Sequence, residues 1–233
     1  VVCPLIAFSP PSDWAPVDRC LERLSKYDGL IFTSANAVGF MFRRIEERGI
    51  PKATIQGIPA YAVGPATAEA LAARGIAVPS LPEQYQAEGL ASVLARDTLK
   101  GKRFLFPRAR KAREWLPGFL EERGARVDLA VVYETRYASE NQGLLRRLLK
   151  EERLDFLTFT SSSTVGAFGA MAGPDATAAA WKAIPAACIG EITAEAARAQ
   201  GFRHVLGANP STIAGLVEAL VDYVRTETGR TPG

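Results

Sequence analysis

The sequence predicts an α/β fold of two lobes, each a parallel sheet flanked by helices, built by an internal duplication. Three observations carry that expectation. Short apolar runs alternate with amphipathic helical patterns along the whole chain, which is the signature of strand–helix–strand units. The stretch AVGPATAEALAARG at 62–75 is written a second time as CIGEITAEAARAQG at 188–201. In the same way DGLIFTSANAVG at 28–39 returns as DFLTFTSSSTVG at 155–166. The copies are offset by 126 residues at the glycine turns and by 127 at the hydroxyl-rich turns, so a single insertion or deletion separates them. A chain of 233 residues suits two modest domains.

Residues 1–8 read as a strand, broken by Pro10, Pro11, Ser12 and Asp13 before a helix whose apolar face is Val17, Cys20, Leu21 and Leu24. A strand at 30–32 runs into a helix that buries Val38, Met41, Phe42 and Ile45 and stops at Gly49. In the glycine turns, Gly64 and Gly190 serve as N-caps, Pro65 takes the first helical position, and Gly75 and Gly201 lie past the C-termini. Residues 86–96 form a further helix, 104–106 a strand, about 114–123 a helix with Pro117 in its first turn or at a kink, and 127–133 a strand. The second half repeats the plan: a helix with Leu144, Leu145, Leu148 and Leu149, a strand at 156–159, a helix from about Ser162, and a strand at 186–189 with its helix. A strand at 204–206 and a last helix with Ile213, Leu216, Val217, Leu220 and Val224 complete it. The expected lobes are flavodoxin- or Rossmann-like. Their boundaries are a connector strand in 1–12, a continuous first lobe at 13–128, a second connector strand at 129–137, a discontinuous second lobe at 138–227 and a tail at 228–233. The strand–helix–strand unit at 104–133 has no copy in the second lobe, and residues 1–6 resemble its end. A further strand and helix of roughly 25 to 35 residues is therefore expected before Val1.

Hydrophobic residues at 48% and charged residues at 23% describe an ordinary globular chain with a full core. No apolar run reaches the length of a membrane span, and a net charge of +3 is too mild to argue for nucleic acid. Cys3, Cys20 and Cys188 share no metal-like spacing and read as reduced thiols of a cytoplasmic protein. The single histidine, His204, reads as structural. There is no GxGxxG, Walker loop, GxSxG or HExxH, so neither a nucleotide nor a metal cofactor is implied.

Ligands of open parallel sheets bind beyond the carboxyl ends of the strands, where free N–H groups at helix starts favour anions. Thr33, Ser34 and Asn36 stand at one such place and Thr160, Ser161, Ser162 and Ser163 at its copy, while Thr67 and Thr193 share the first turn of the duplicated glycine-started helices. Singly, such hydroxyls are ordinary N-caps. At four helix starts in two copies they point to a bilobed site for a polyanion, carboxylate or phosphate. Arg108 directly follows a strand and its proline and is the ligand candidate of the basic run at 107–113; Arg110 and Lys111 read as solvated. Tyr133, at a strand end in VVYET, is an aromatic packing a hinge or a functional group.

Taken in order, FTSANAV, AVGPATAEAL, the strand–Arg–x4–Arg–Glu–x–Leu unit at 105–116, VYET, FTSSSTV and CIGEITAEA resemble the uroporphyrinogen-III synthase family over essentially the whole chain. The resemblance implies two α/β lobes joined by a two-stranded connector, and a cofactor-independent lyase. That enzyme takes hydroxymethylbilane, a linear tetrapyrrole with eight carboxylates, to uroporphyrinogen III by cyclising dehydration with inversion of ring D. It implies Tyr133 as the aid to hydroxyl departure, and Thr67, Thr193, Ser34, Asn36, Ser161, Ser162 and Arg108 as carboxylate holders. It also implies a flexible monomer working on a small molecule. The competing reading is a non-catalytic bilobed binding protein that closes on a carboxylated ligand.

Overall fold

Strand β1 (Ile6–Ser9) opens the secondary structure, followed by α1 (Ala15–Leu21), a 3-10 turn (Leu24–Lys26), β2 (Gly29–Phe32), α2 (Ala35–Glu47), α3 (Lys52–Gln56), β3 (Ala60–Ala62) and α4 (Pro65–Ala72). Next come α5 (Ala87–Leu94), β4 (Arg103–Ala109), α6 (Trp115–Glu121), β5 (Arg126–Tyr137), a second 3-10 turn (Ser139–Asn141), α7 (Gln142–Lys150) and β6 (Leu157–Phe159). The chain ends with α8 (Ser162–Ala172), α9 (Pro174–Ala183), β7 (Ala186–Cys188), α10 (Glu191–Gln200), β8 (Val205–Gly207) and α11 (Ile213–Thr228). This computed structural model describes residues 1–151 and 154–228; all of the expected tail beyond Thr228 lies outside the described residues. The chain divides into two compact units, 8–135 and 1–7 with 136–233, and crosses from one to the other within β1 and within β5.

In the 8–135 unit the strand order is β1-β5-β4-β2-β3, with β5, β4, β2 and β3 mutually parallel. Successive residues of its strands feed opposite faces, as the two-residue period of a strand requires. Leu30, Phe32 and Leu105 join Val17, Val38, Met41, Phe42, Ile45 and Leu71 on one side. Ile31, Phe104 and Phe106 join Leu90, Leu94, Leu116 and Leu120 on the other. Helices therefore cover both faces, the usual condition of a parallel sheet.

The other unit holds the parallel sheet β6-β7-β8. The duplication is visible in its register. Leu30, Ile31 and Phe32 pair with Ala60, Tyr61 and Ala62, and the copies Leu157, Thr158 and Phe159 pair with Ala186, Ala187 and Cys188. Phe159 and Cys188 pack with Phe168, Met171, Ala194 and Phe202 on one face, while Ala187 meets Leu216 on the other. Among the described residues no helix is long and apolar enough to cross a membrane.

The structure departs from the expected elements at several places. The first strand begins only at Ile6, because pairing starts there; Val1 and Val2 are exposed. Helices α3 and α9 are additions to the expected elements, although Gly173 at φ 91° with Pro174 at the first helical position marks the start of α9. Of the apolar residues expected to pack on α11, Leu216 is buried and Leu220 half-buried, while Ile213, Val217 and Val224 are exposed. Strands about 4.8 Å apart make a three-stranded sheet a narrow platform, which covers one stripe of a helix rather than a broad face.

Candidate functional site

The two hydroxyl-rich turns are closed by their own serines. Ser34, extended at φ −155° and ψ 148°, accepts a hydrogen bond from the Ala37 N–H at 3.1 Å and so caps α2. Its copy Ser161, at φ −163° and ψ 156°, accepts from the Thr164 N–H at 3.3 Å and lies 2.9 Å from the Ser163 hydroxyl. Thr33 and Asn36 are half-buried, Thr160 and Ser162 are exposed, and none of the four makes a side-chain hydrogen bond among the described residues.

The glycine turns are different, since neither Gly64 nor Gly190 can supply a capping side chain and no other side chain does so. The Ala66 N–H in α4, and the Glu191 and Ile192 N–H groups in α10, have no acceptor among the described residues. Beside them Thr67 is 6% exposed and Thr193 is 5% exposed, and neither hydroxyl has a hydrogen-bond partner among the described residues. Both glycines have extended backbone, and at Gly190 space rather than conformation selects glycine. A Cβ on Gly190 would run into the Ser211 side chain, and one on Gly64 would touch the Tyr85 Cβ at 3.5 Å. Tyr85 and Ser211 are themselves 126 residues apart, so each unit lays the same loop over its glycine turn. Sequence reasoning missed this pair. The signal was there, because Gly89-Leu90 and Gly215-Leu216 keep the same spacing.

Tyr133 is 8% exposed, near the end of β5. The β4–β5 register advances from Arg108 opposite Val131 to Ala109 opposite Tyr133, a bulge that inserts Val132 and re-aims the end of the strand. Phe40 stacks on the Tyr133 ring with centroids 5.6 Å apart at 16°, and Phe8 meets it edge-on at 5.5 Å and 87°. The hydroxyl lies 3.2 Å from the Ser34 Oγ. The structure thus joins two of the expected site residues directly and adds two aromatic neighbours that the sequence did not single out.

Arg108 is spent inside the protein. Only 3% exposed, it donates through Nη1 to Glu114 at 2.8 Å and through Nη2 to the Ala112 carbonyl at 2.6 Å, with its guanidinium 5.7 Å from the Phe106 ring centroid. Its Nε is buried without a partner among the described residues. The Arg108 hydrogen bond holds the Glu114 carboxyl below its usual range. Burial pushes all three thiols up, Cys188 to about 11, so none is poised as a thiolate nucleophile. Among the described residues no cluster of His, Cys, Asp and Glu could hold a metal.

The family model of uroporphyrinogen-III synthase HemD matches residues 1–218. A porphyrin biosynthesis protein HemD of Ruminiclostridium josui is 28% identical over 206 residues, which are 86% of this chain and 39% of that protein. A uroporphyrinogen-III synthase of Synechococcus elongatus is 32% identical over 166 residues, 71% of this chain and 62% of the relative. The chain therefore spans less than two thirds of the length of these relatives. A mutant uroporphyrinogen III synthase structure from Thermus thermophilus superposes with a TM-score of 0.65 over 99% of this chain and 90% of that one, at 19% identity, and shares its fold. By its family model and these relatives, the chain belongs to the uroporphyrinogen-III synthase family.

Proposed function

We propose that the chain is a lyase that closes hydroxymethylbilane to uroporphyrinogen III, losing water from the hydroxymethyl group and inverting ring D. Family membership supports the reaction. The observation that carries the substrate reading is the pair Thr67 and Thr193, two largely buried threonines in equivalent first turns whose hydroxyls make no hydrogen bond among the described residues and whose neighbouring N–H groups are also free. Helix starts of this kind attract carboxylates through their N–H groups and the positive end of the dipole. Each copy offers its own carboxylate-binding helix start, with Thr33 and Asn36 as further donors in the 8–135 unit and Thr160, Ser161 and Ser162 in the other.

Tyr133 is the proton donor of this proposal. Its phenol protonates the departing hydroxyl, the C–O bond breaks with its electron pair leaving as water, and the proton released when ring closure restores the pyrrole returns to the phenolate. Holding the linear chain so that ring D is attacked at its substituted carbon is a positioning task. No cofactor enters the proposal, and the protein is taken to act as a monomer in the cytoplasm, where free Cys3, Cys20 and Cys188 remain reduced.

The test is the product isomer ratio on freshly generated hydroxymethylbilane. The expected result is predominantly type III product, with a turnover loss of about 100-fold in Tyr133→Phe. Type I product alone, at the spontaneous rate, would sink the reading.

A further inference from the structure

We propose that Ser34 is a positioning residue for the Tyr133 proton, acting through the phenol rather than on a substrate carboxylate; the inference rests on the function proposed above. Ser34 has one proton and two lone pairs, and one lone pair is committed to the Ala37 N–H at 3.1 Å. Its remaining neighbour at hydrogen-bond distance is the Tyr133 hydroxyl, 3.2 Å away. The two hydroxyls can order their protons in either direction, and the cap favours one of them. An oxygen that accepts from a backbone N–H becomes a better donor, because successive hydrogen bonds polarise one another. Ser34 then donates to the Tyr133 oxygen, and the phenolic proton is left for the leaving hydroxyl.

The arrangement strengthens where catalysis needs it. As the proton departs, charge develops on the Tyr133 oxygen, and the Ser34 bond changes from neutral to charge-assisted. Behind Ser34 stands the N-terminus of α2, thirteen residues long, whose dipole favours negative charge at that end. A contact that gains strength only as the transition state forms raises turnover rather than substrate affinity. Phe40 and Phe8 hold the ring from its face and its edge, so the hydroxyl cannot swing away from Ser34 without disturbing both. Ala37, Ser34, Tyr133 and the two phenylalanines all lie within the 8–135 unit.

The experiment is a double-mutant cycle on type III formation in the intact protein. Ser34→Gly keeps a tolerated N-cap residue while removing the hydroxyl. The expected result is a fall in kcat of roughly 10-fold with KM unchanged, retention in Ser34→Thr, and less than about a 2-fold further effect when Ser34→Gly is added to Tyr133→Phe. Where Ser34→Gly fails to fold, Ser34→Asp takes its place. Its carboxylate caps the helix but has no proton to give, so it makes Tyr133 the donor toward residue 34 and lowers kcat under the same cycle. Losses that multiply in the double variant, or a rise in KM with kcat unchanged, would overturn the inference and leave Ser34 as an independent carboxylate holder. A parent protein that forms only type I product overturns the proposed function and this inference together, whereas an active parent with multiplicative losses overturns this inference alone.

Discussion

Arg108, a ligand candidate in sequence, is held by intramolecular acceptors in the structure. Its guanidinium is buried, and a buried cation is stable only when its fork of donors finds acceptors. Glu114 and the Ala112 carbonyl supply them from the far end of the short basic run, so the one side chain fixes the path of residues 109–114 into α6. Lysine cannot reproduce that fork, since it offers a point charge instead of two directed donors. Arg108→Lys should therefore behave much as Arg108→Ala does, each lowering stability by about 2 kcal/mol in urea titration. Full stability in Arg108→Lys would show that the charge alone matters there. Glu114 itself is largely solvent-facing, and the loss is assigned to the orphaned guanidinium rather than to an ion-pair energy.

At the scale of elements, α5 and α11 begin on the same device. In each the third helical residue is glycine, Gly89 or Gly215, and a Cβ there would collide with a backbone carbonyl, that of Gln84 or of Pro210. The carbonyl is held by the turn itself, with the Gln86 N–H donating to Gln84 and the Thr212 N–H to Pro210, both at 2.8 Å. A glycine inside a helix ordinarily costs about 1 kcal/mol relative to alanine. Gly39→Ala and Gly166→Ala, where added atoms meet nothing within 4 Å, should accordingly stabilise by up to that amount. Gly89→Ala and Gly215→Ala should instead destabilise by about 2 kcal/mol, with melting temperature as the readout. Stabilisation at either would remove the steric account. The same elements show what was legible in the sequence. Gly49 and Gly201, at φ 64° and 105°, end α2 and α10 where the sequence placed the stops, because only glycine enters that region freely. The parallel α/β class follows from strand and helix periods that the packing left intact. The stacking of Phe40 on Tyr133 was not legible, because it joins α2 to β5 across ninety-odd positions and depends on a bulge that no local pattern announces. Arg108 reads as a free ligand in sequence for the same reason, since its acceptor Glu114 looks locally like an ordinary helix-start carboxylate.

The duplication produced two units with unequal electrostatic anchoring, and that inequality should appear on acidification. In the 8–135 unit Asp18 is held below its ordinary value near 3.8, chiefly by the side-chain hydrogen bonds from Arg44. Asp28 is held low by the Arg103 N–H and then by Lys102, and Glu114 by Arg108. In the other unit Glu140, beside Arg136, is the carboxyl among the described residues with a resolved downward shift. A carboxyl whose folded pKa is depressed contributes stability above its unfolded pKa and loses it as pH falls through the folded value. The window therefore opens near pH 4 and extends below it, and the 8–135 unit has more to lose there. Trp14 and Trp115 report on that unit and Trp181 on the other, so single-tryptophan variants can track each separately in urea titrations between about pH 6 and pH 3. The midpoint seen by Trp14 should fall more steeply than the midpoint seen by Trp181. Asp28→Asn should lower the neutral-pH midpoint of the 8–135 unit and flatten its acid leg, because the substituted side chain no longer titrates against Lys102 and the Arg103 N–H. Identical acid legs from the two reporters, or an acid leg unchanged in Asp28→Asn, would show that these carboxylates do not govern how the two halves of the duplication respond to pH.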